Sequence, residues 1–140
     1  MEAIVPYLNF KGTAKAAFDF YAKALNGEIL FAQTFGESPM EVTEENRDKI
    51  MHATLKAGNL TIMASDVIDD KFPVIEGTNV SLSMNFTKVE DIDRVFAAMS
   101  EGSNITMPLQ DTFWGAKFGM LTDAFGINWM FNHDYEQKDK

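Results

Sequence analysis

Few residues of this chain could transfer protons or hold a metal ion. Its 140 residues include only two histidines, His52 and His133, and no cysteine. Imidazole titrates near neutral pH, so His52 could act as a general acid or base or as a metal ligand. The lack of cysteine excludes disulfides, thiolate metal sites and a cysteine nucleophile. Any metal site would therefore depend mostly on oxygen ligands.

His52 lies in a predicted strand over residues 51–56, whose core face is formed by alternating apolar residues, Met51, Ala53 and Leu55. Its imidazole is therefore expected on the opposite face, together with Thr54 and Lys56. No carboxylate in the same motif orients this ring, so a histidine that only contacts a ligand or makes a structural hydrogen bond is the simpler interpretation. His133 begins a polar tail, residues 133–140, and is expected to be solvated.

Two stretches of the chain, 76 residues apart, repeat one pattern. Leu8-Asn9-Phe10 recurs as Met84-Asn85-Phe86, and each triplet ends an alternating apolar run before a helical pattern. The first helix is predicted over about residues 13–25 and ends at Asn26-Gly27, whereas the second begins at a predicted capping box, Thr87-Lys88-Val89-Glu90. In each half a strand follows the helix, and two further strands flank a glycine turn. A duplication explains this shared order better than chance similarity.

Each half therefore reads β-α-β-β-β, which predicts an α+β protein with eight strands. Two paired βαβββ modules, residues 1–66 and 79–133, are expected within a single domain of residues 1–140, joined by a connection over residues 67–78. We expect a cupped, eight-stranded mixed sheet with both helices on its convex side. The concave face would be the natural ligand site. The acidic segment 37–49 is predicted to be an exposed excursion with a short helix beginning near Thr43.

Several short motifs, spread over nearly the whole chain, resemble one known family. They are Val5-Pro6-Tyr7-Leu8-Asn9-Phe10, Ala17-Phe18-Asp19-Phe20-Tyr21, Met51-His52-Ala53-Thr54-Leu55, Met63-Ala64-Ser65-Asp66, Asp111-Thr112-Phe113-Trp114-Gly115 and Phe125-Gly126-Ile127-Asn128-Trp129. In this order they resemble the PhnB-like branch of the vicinal oxygen chelate superfamily of glyoxalases, bleomycin resistance proteins and dioxygenases. The resemblance implies paired βαβββ modules, a small-molecule ligand in the cup and a homodimer. It implies no single reaction, since the superfamily contains isomerases, dioxygenases, thiol transferases and drug-binding proteins without catalytic activity.

Proteins of this branch are often described as demethylubiquinone methyltransferases. A Rossmann-type methyltransferase would need a glycine-rich loop between a strand and a helix, within alternating parallel βα units. None of the nine glycines lies in such a loop. The sequence therefore predicts neither a methyltransferase nor a bound cofactor.

For the metal-dependent members, the resemblance implies ligands on the first and last strand of each module, typically His or Glu. The internal repeat maps these positions onto Val5, Met63, Ser81 and Met130. A hard divalent ion prefers carboxylates or imidazoles, so no metal site is predicted. His52 is the one residue that could restore a metal site.

The predicted ligand-binding residues share the concave face of the cup. Their hydroxyl and amide groups would provide hydrogen bonds without a fixed charge, and their methionines would provide adaptable apolar contacts or simply fill the cavity. Trp114 could stack on a planar ligand, although aromatic residues beside a glycine turn more often fill the core. The complete set is Tyr7, Asn9, His52, Met63, Ser81, Ser83, Asn85, Trp114 and Met130.

The amino-acid composition limits the classes of partner that the protein could bind. With 21 acidic against 12 basic residues, the net charge of −9 disfavours nucleic acid and anionic lipid surfaces. A hydrophobic fraction of 46% is typical of a soluble globular protein. No stretch approaches the roughly 20 apolar residues of a membrane span, and the N-terminus lacks the pattern of a signal peptide, so a cytoplasmic location is expected.

Three functions stay open from the sequence. The first is a binding protein for a small molecule, like the bleomycin resistance members, whose acidic dimers sequester a cationic drug. The second is an enzyme of the lyase, isomerase, dioxygenase or transferase type, with His52 as acid/base or as a metal ligand. The third is a duplicated structural module whose cup has lost its ligand.

Overall fold

The computed structural model describes residues 1–136 and divides the chain into two compact units. The first unit comprises Met1–Ile75, and the second begins at Glu76. The division falls within the predicted connection of residues 67–78. Within the described residues, no helix is both long enough and apolar enough to cross a lipid bilayer.

Both units have the order β-α-β-β-β, which confirms the predicted α+β fold. The first contains β1 (Tyr7–Phe10), α1 (Ala14–Ala24), β2 (Glu28–Thr34), β3 (Ile50–Ala57) and β4 (Leu60–Asp66). The second contains β5 (Leu82–Asn85), α2 (Val89–Met99), β6 (Asn104–Asp111), β7 (Ala116–Thr122) and β8 (Asn128–Asp134). Two short 3-10 turns, Phe35–Glu37 and Glu44–Asn46, lie between β2 and β3, and the second follows Thr43 as predicted.

The strands pair in two four-stranded sheets, ordered β1-β4-β3-β2 and β5-β8-β7-β6. This differs from the single eight-stranded sheet that we expected. In each sheet the first strand runs parallel to the last, and the other pairs are antiparallel. The hydrogen-bonded ladders end at β1 and β5, which are edge strands, so each unit forms a mixed sheet of its own.

The first helix packs on one face of its sheet because its apolar residues recur every three or four positions. Its buried residues are Ala14, Ala17, Phe18, Tyr21 and Ala24. No side chain of the helix caps its start; instead the buried carboxylate of Asp66 accepts hydrogen bonds from the amides of Gly12 and Ala14. Asn26 follows the helix with φ 52°, the predicted left-handed stop.

The second helix buries Ile92, Val95, Phe96 and Met99 in the same way. The capping box that the sequence predicts here is wrong, because the N-cap residue is Lys88, and it makes no side-chain capping bond. Glu90 and Asp91 in the first turn complement the helix dipole instead.

Strand β3 contains a bulge at Met51. Gln33 pairs with His52, and the next residue, Thr34, pairs with Ile50, so Met51 has no partner of its own. At this bulge the alternation of inward-facing and outward-facing side chains shifts by one residue. Ile50 is buried on the core side, whereas Met51 is only half-buried. The prediction that Met51 belongs to the core face is therefore wrong.

A second buried carboxylate fixes the hairpin between β7 and β8. Asp123 accepts hydrogen bonds from the amides of Phe125 and Ile127 and from the indole nitrogen of Trp129, at 2.8–3.0 Å. Trp129 is itself fully buried. Three donors thus converge on one carboxylate at this turn.

Candidate functional site

The face of the first sheet away from α1 carries the polar candidates of that unit. On β1, Leu8 and Phe10 are buried, whereas Tyr7 and Asn9 are exposed. On β4, Met63 pairs with Tyr7 and Ser65 pairs with Asn9. Since directly paired residues of neighbouring strands share a face, these four side chains lie on the face opposite the helix.

His52 joins this face through a chain of hydrogen bonds. Its Nδ1 lies 3.1 Å from the hydroxyl of Tyr7, and its Nε2 lies 3.2 Å from the hydroxyl of Thr54. Both ring nitrogens therefore have an oxygen partner, and the ring orientation is fixed without a bound ligand. A hydroxyl on each side of an imidazole is an arrangement that can pass a proton from one oxygen to another.

Aromatic side chains border His52 on two sides. The Tyr7 ring lies 5.7 Å from the imidazole and the Phe31 ring 6.0 Å from it, centroid to centroid. Tyr7 is 45% exposed and Phe31 49% exposed, so both rings are available to a ligand. Phe31 could not be found from the sequence pattern, because the register of β2 shifts between Ile29 and Phe31.

In the second unit, Ser83 and Asn85 alternate with half-buried residues along β5 and are exposed. Ser83 pairs with Met130, and the side-chain oxygen of Asn85 accepts a hydrogen bond from the side-chain Nδ2 of Asn132 at 3.2 Å. These side chains share one face of the second sheet.

Methionines form a row on the same face of this sheet, which sequence reasoning did not find. Met130 pairs with Met120, and Met120 pairs with Met107, so three half-buried methionines occupy adjacent strands. Their flexible thioether chains provide an adaptable apolar surface.

Two of the four positions that correspond to the metal ligands of related proteins lie outside the strands. Val5 precedes β1, and Ser81 precedes β5. Val5, Met63, Ser81 and Met130 offer an aliphatic chain, two thioethers and a hydroxyl, which do not fit a hard divalent ion. Within residues 1–136, no three His, Cys, Asp or Glu side chains are placed to share an ion.

Trp114 lies at the tip of the hairpin between β6 and β7 rather than in the core. It is 54% exposed, and its neighbour Phe113 is 97% exposed. The Trp114 ring meets those of Phe113 and Phe118 edge to face, at 5.1 and 5.8 Å. Gly115, with φ 84°, permits the turn that holds this aromatic cluster at the surface.

The prediction that His133 is solvated is wrong, since the residue is only 7% exposed. Strand β8 continues through it to Asp134, and its Nδ1 lies 3.0 Å from the carbonyl oxygen of Phe86. The Tyr135 ring covers it at 5.4 Å, edge to face. His133 is thus a structural histidine, tied to the chain entering α2.

Comparison with known proteins places this geometry in a family. The Glyoxalase/Bleomycin resistance protein/Dioxygenase superfamily matches residues 4–131. Protein YjdN of Escherichia coli strain K12 is 31% identical over 137 residues, covering 91% of this chain and 92% of its own.

Two solved structures extend this similarity. Protein PA1353 of Pseudomonas aeruginosa is 41% identical with a TM-score of 0.85, and the match covers 96% of this chain and 98% of that one. The PhnB protein of Bacillus cereus is 27% identical with a TM-score of 0.76, and the match covers 94% and 99% of the two chains. The chain therefore belongs to the glyoxalase/bleomycin resistance/dioxygenase superfamily and is structurally close to its PhnB-like proteins.

Proposed function

We propose that this chain is a small-molecule-binding member of its superfamily and that it works without the superfamily's metal site. The observation that carries the proposal is the Tyr7–His52 pair, an exposed but already ordered polar group beside the Phe31 ring. A ligand that binds there loses little free energy in ordering these side chains, because hydrogen bonds already fix the imidazole on both sides. Met63 beside Tyr7 adds an apolar contact.

Binding can be tested by recording amide and imidazole NMR spectra of the labelled protein with a library of small organic fragments. We expect the resonances of Tyr7, His52 and Met63 to shift, whereas those of Ala17 and Tyr21, on the buried face of α1, stay in place. If no fragment moves any of the three, the binding proposal fails.

Metal analysis of the purified protein tests the second half of the proposal. The residues at the predicted ligand positions do not suit a hard ion, so we expect a substoichiometric content of Zn, Ni, Mn and Fe. Any of these metals at one ion per chain would contradict the metal-free proposal.

A second candidate function is an enzyme in which His52 is the general acid or base. The observation that favours it is the continuous chain Tyr7–His52–Thr54, which links two hydroxyls through an imidazole. Here His52→Ala would abolish turnover of a substrate and leave its affinity within a few fold. If turnover survives in this variant, His52 is not the acid or base.

Methyltransferase activity is not part of the proposal. The PhnB protein of Bacillus cereus is named for a proposed 3-demethylubiquinone-9 3-methyltransferase activity, whereas residues 1–136 of this chain fold as two mixed four-stranded sheets without alternating parallel βα units. We expect S-adenosylmethionine to leave the melting temperature unchanged, and a saturable stabilisation would contradict this.

A further inference from the structure

The protons of the Tyr7–His52–Thr54 chain can be counted. A neutral imidazole carries one N–H, so it donates to one hydroxyl and accepts from the other, and either tautomer satisfies both contacts. One of the two hydroxyl hydrogens is then engaged by His52, and only the other can turn outward. The neutral chain therefore offers a ligand one hydroxyl donor.

Protonation of His52 changes this count. Both ring nitrogens then donate, so Tyr7 and Thr54 both accept, and both hydroxyl hydrogens become free to point away from the imidazole. The chain then presents one outward donor on each side of the charged ring, and an anionic oxygen at either hydroxyl meets a donor that is itself hydrogen-bonded to the imidazolium. Charge-assisted hydrogen bonds of this kind favour an anionic oxygen.

We propose that this chain binds an ionised oxygen of the ligand, that of a carboxylate, enolate or phenolate, together with one proton taken up by His52. The inference rests on the proposed function and names the class of its ligand. Phe31 lies beside the imidazole, and Met63 lies beside Tyr7, so the anionic group belongs to a compound with a flat, apolar body.

The charged residues on this face of the first sheet are few. His52, Thr54 and Lys56 alternate along β3, and Glu28 of β2 pairs with Lys56. From the other strands, Gln33 of β2 is the direct partner of His52, and β1 and β4 contribute uncharged Tyr7, Asn9, Met63 and Ser65. Lys56 is thus the rival cation for an anionic ligand, and the test must separate it from His52.

The experiment compares benzoate with benzamide, which has the same shape but no charge, by NMR titration from pH 5.5 to 8.5. Each bound benzoate should take up one proton, so its affinity should fall about tenfold per pH unit where His52 is neutral before binding. Calorimetry in two buffers of different ionisation enthalpy should show the same uptake. Benzamide affinity should not change with pH.

Three variants identify the group responsible. His52→Gln should remove the pH dependence of benzoate binding and lower its affinity at least tenfold at pH 5.5. Tyr7→Phe should weaken benzoate at every pH and keep the slope, since His52 is still present to take up the proton. Lys56→Gln, the matched control, should keep the slope and change affinity less than threefold. Far-ultraviolet circular dichroism confirms that each variant is folded.

Other outcomes overturn the inference. Benzoate binding without proton uptake, or binding that is lost in Lys56→Gln, assigns the anion to plain charge attraction. Binding of neutral fragments but not benzoate overturns the ligand class and leaves the binding function standing. If neither probe nor any library fragment shifts Tyr7, His52 or Met63, both proposals fail together.

Discussion

Tyr135 and Asp111 form a hydrogen bond that shifts the pKa of the tyrosine hydroxyl. The Tyr135 hydroxyl donates to a carboxylate oxygen of Asp111, and this bond raises the pKa of Tyr135 above its ordinary value, with smaller contributions from desolvation and from the charges of Asp111 and Asp93. Because the folded pKa exceeds the unfolded one, the contact stabilises the fold below the ordinary tyrosine pKa. That contribution is lost as pH rises through the folded pKa.

We predict that Asp111→Asn lowers the pKa of Tyr135 towards its ordinary value, because the amide brings no negative charge. An ultraviolet titration of tyrosinate formation follows the three tyrosines of the chain. The titration step that disappears in Tyr135→Phe belongs to Tyr135 and gives its pKa. An unchanged step in Asp111→Asn would contradict the assignment.

Glu37 shows the opposite shift. Its carboxylate accepts hydrogen bonds from the backbone amide of Thr34 at 3.0 Å and from the Thr34 hydroxyl at 2.9 Å, and these bonds lower the pKa of Glu37. A depressed pKa stabilises the fold above the unfolded value, and the contribution is lost as pH falls through the folded value.

We expect Thr34→Val to raise the pKa of Glu37 only part of the way back, since the backbone amide remains. Carbon-13 NMR of the carboxyl group measures the shift. Thr43→Val is the control, because Thr43 precedes the other 3-10 turn without a side-chain capping bond. Equal effects of the two substitutions would refute the local origin of the shift.

At the scale of elements, Asp66 joins three parts of the first unit. Its carboxylate accepts hydrogen bonds from the backbone amides of Gly12 and Ala14. It also accepts one from the backbone amide of Ile50, at 2.8 Å. One side chain thus connects the end of β4 to the start of α1 and to the bulge of β3.

We predict that Asp66→Ala lowers the free energy of unfolding by about 2 to 4 kcal/mol, because it leaves buried amides without an acceptor. Urea denaturation measures the loss. Asp70→Ala, at an exposed position nearby, should change stability by no more than about 0.5 kcal/mol. A loss for Asp66→Ala as small as for this control would show that water replaces the carboxylate.

The second helix lies directly over Gly119 of β7. A Cβ atom at this position would lie 2.8 Å from Cε2 of Phe96 and 3.1 Å from Cα of Leu109. We predict that Gly119→Ala destabilises the protein by about 1 to 3 kcal/mol through overpacking.

Chemical denaturation of Gly119→Ala should be compared with Gly77→Ala, where a new Cβ would lie 3.7 Å from Oδ1 of Asn79. The double variant Gly119→Ala with Phe96→Leu should recover part of the loss. If it recovers none, the clash with Phe96 is not the cause.

Local patterns predict most of these elements, because helix and strand periods follow directly from which residues are apolar. The sequence predicts Tyr7 and Asn9 on one face of the first strand, and the structure leaves both exposed while it buries Leu8 and Phe10 on the other face. Met51 was misplaced because a bulge resets the period, and a bulge depends on pairing with a distant strand.

Long-range contacts account for what the sequence could not predict about the two histidines. His133 is buried because β8 extends past the apolar run and meets the carbonyl of Phe86, 47 residues away in sequence. The contact between Tyr7 and His52 spans 45 residues in the same way. The sequence placed both residues on one face but could not show that their side chains meet.

At the scale of the whole molecule, large apolar side chains remain exposed on the single chain. They include Leu30, Phe31, Phe72, Ile75, Val80 and Phe113, each 49% exposed or more. Where such side chains lie together in one patch, they favour association with a further subunit.

We therefore predict a homodimer, as the superfamily resemblance implies. Sedimentation equilibrium should give a mass of twice 15.7 kDa at micromolar concentration. Substitution of Phe113, which is 97% exposed on the single chain, by Ser should shift the equilibrium towards monomer. A wild-type protein that sediments as a monomer at every concentration would contradict the prediction.

Both tryptophans of the chain, Trp114 and Trp129, belong to the second unit, and Trp129 is held by Asp123. Intrinsic tryptophan emission is therefore a spectroscopic reporter of residues 76 onward alone, whereas circular dichroism senses both halves. A variant such as Asp66→Ala weakens the half that emits no tryptophan signal. The difference between its two melting curves measures how strongly the duplicated halves depend on each other for stability.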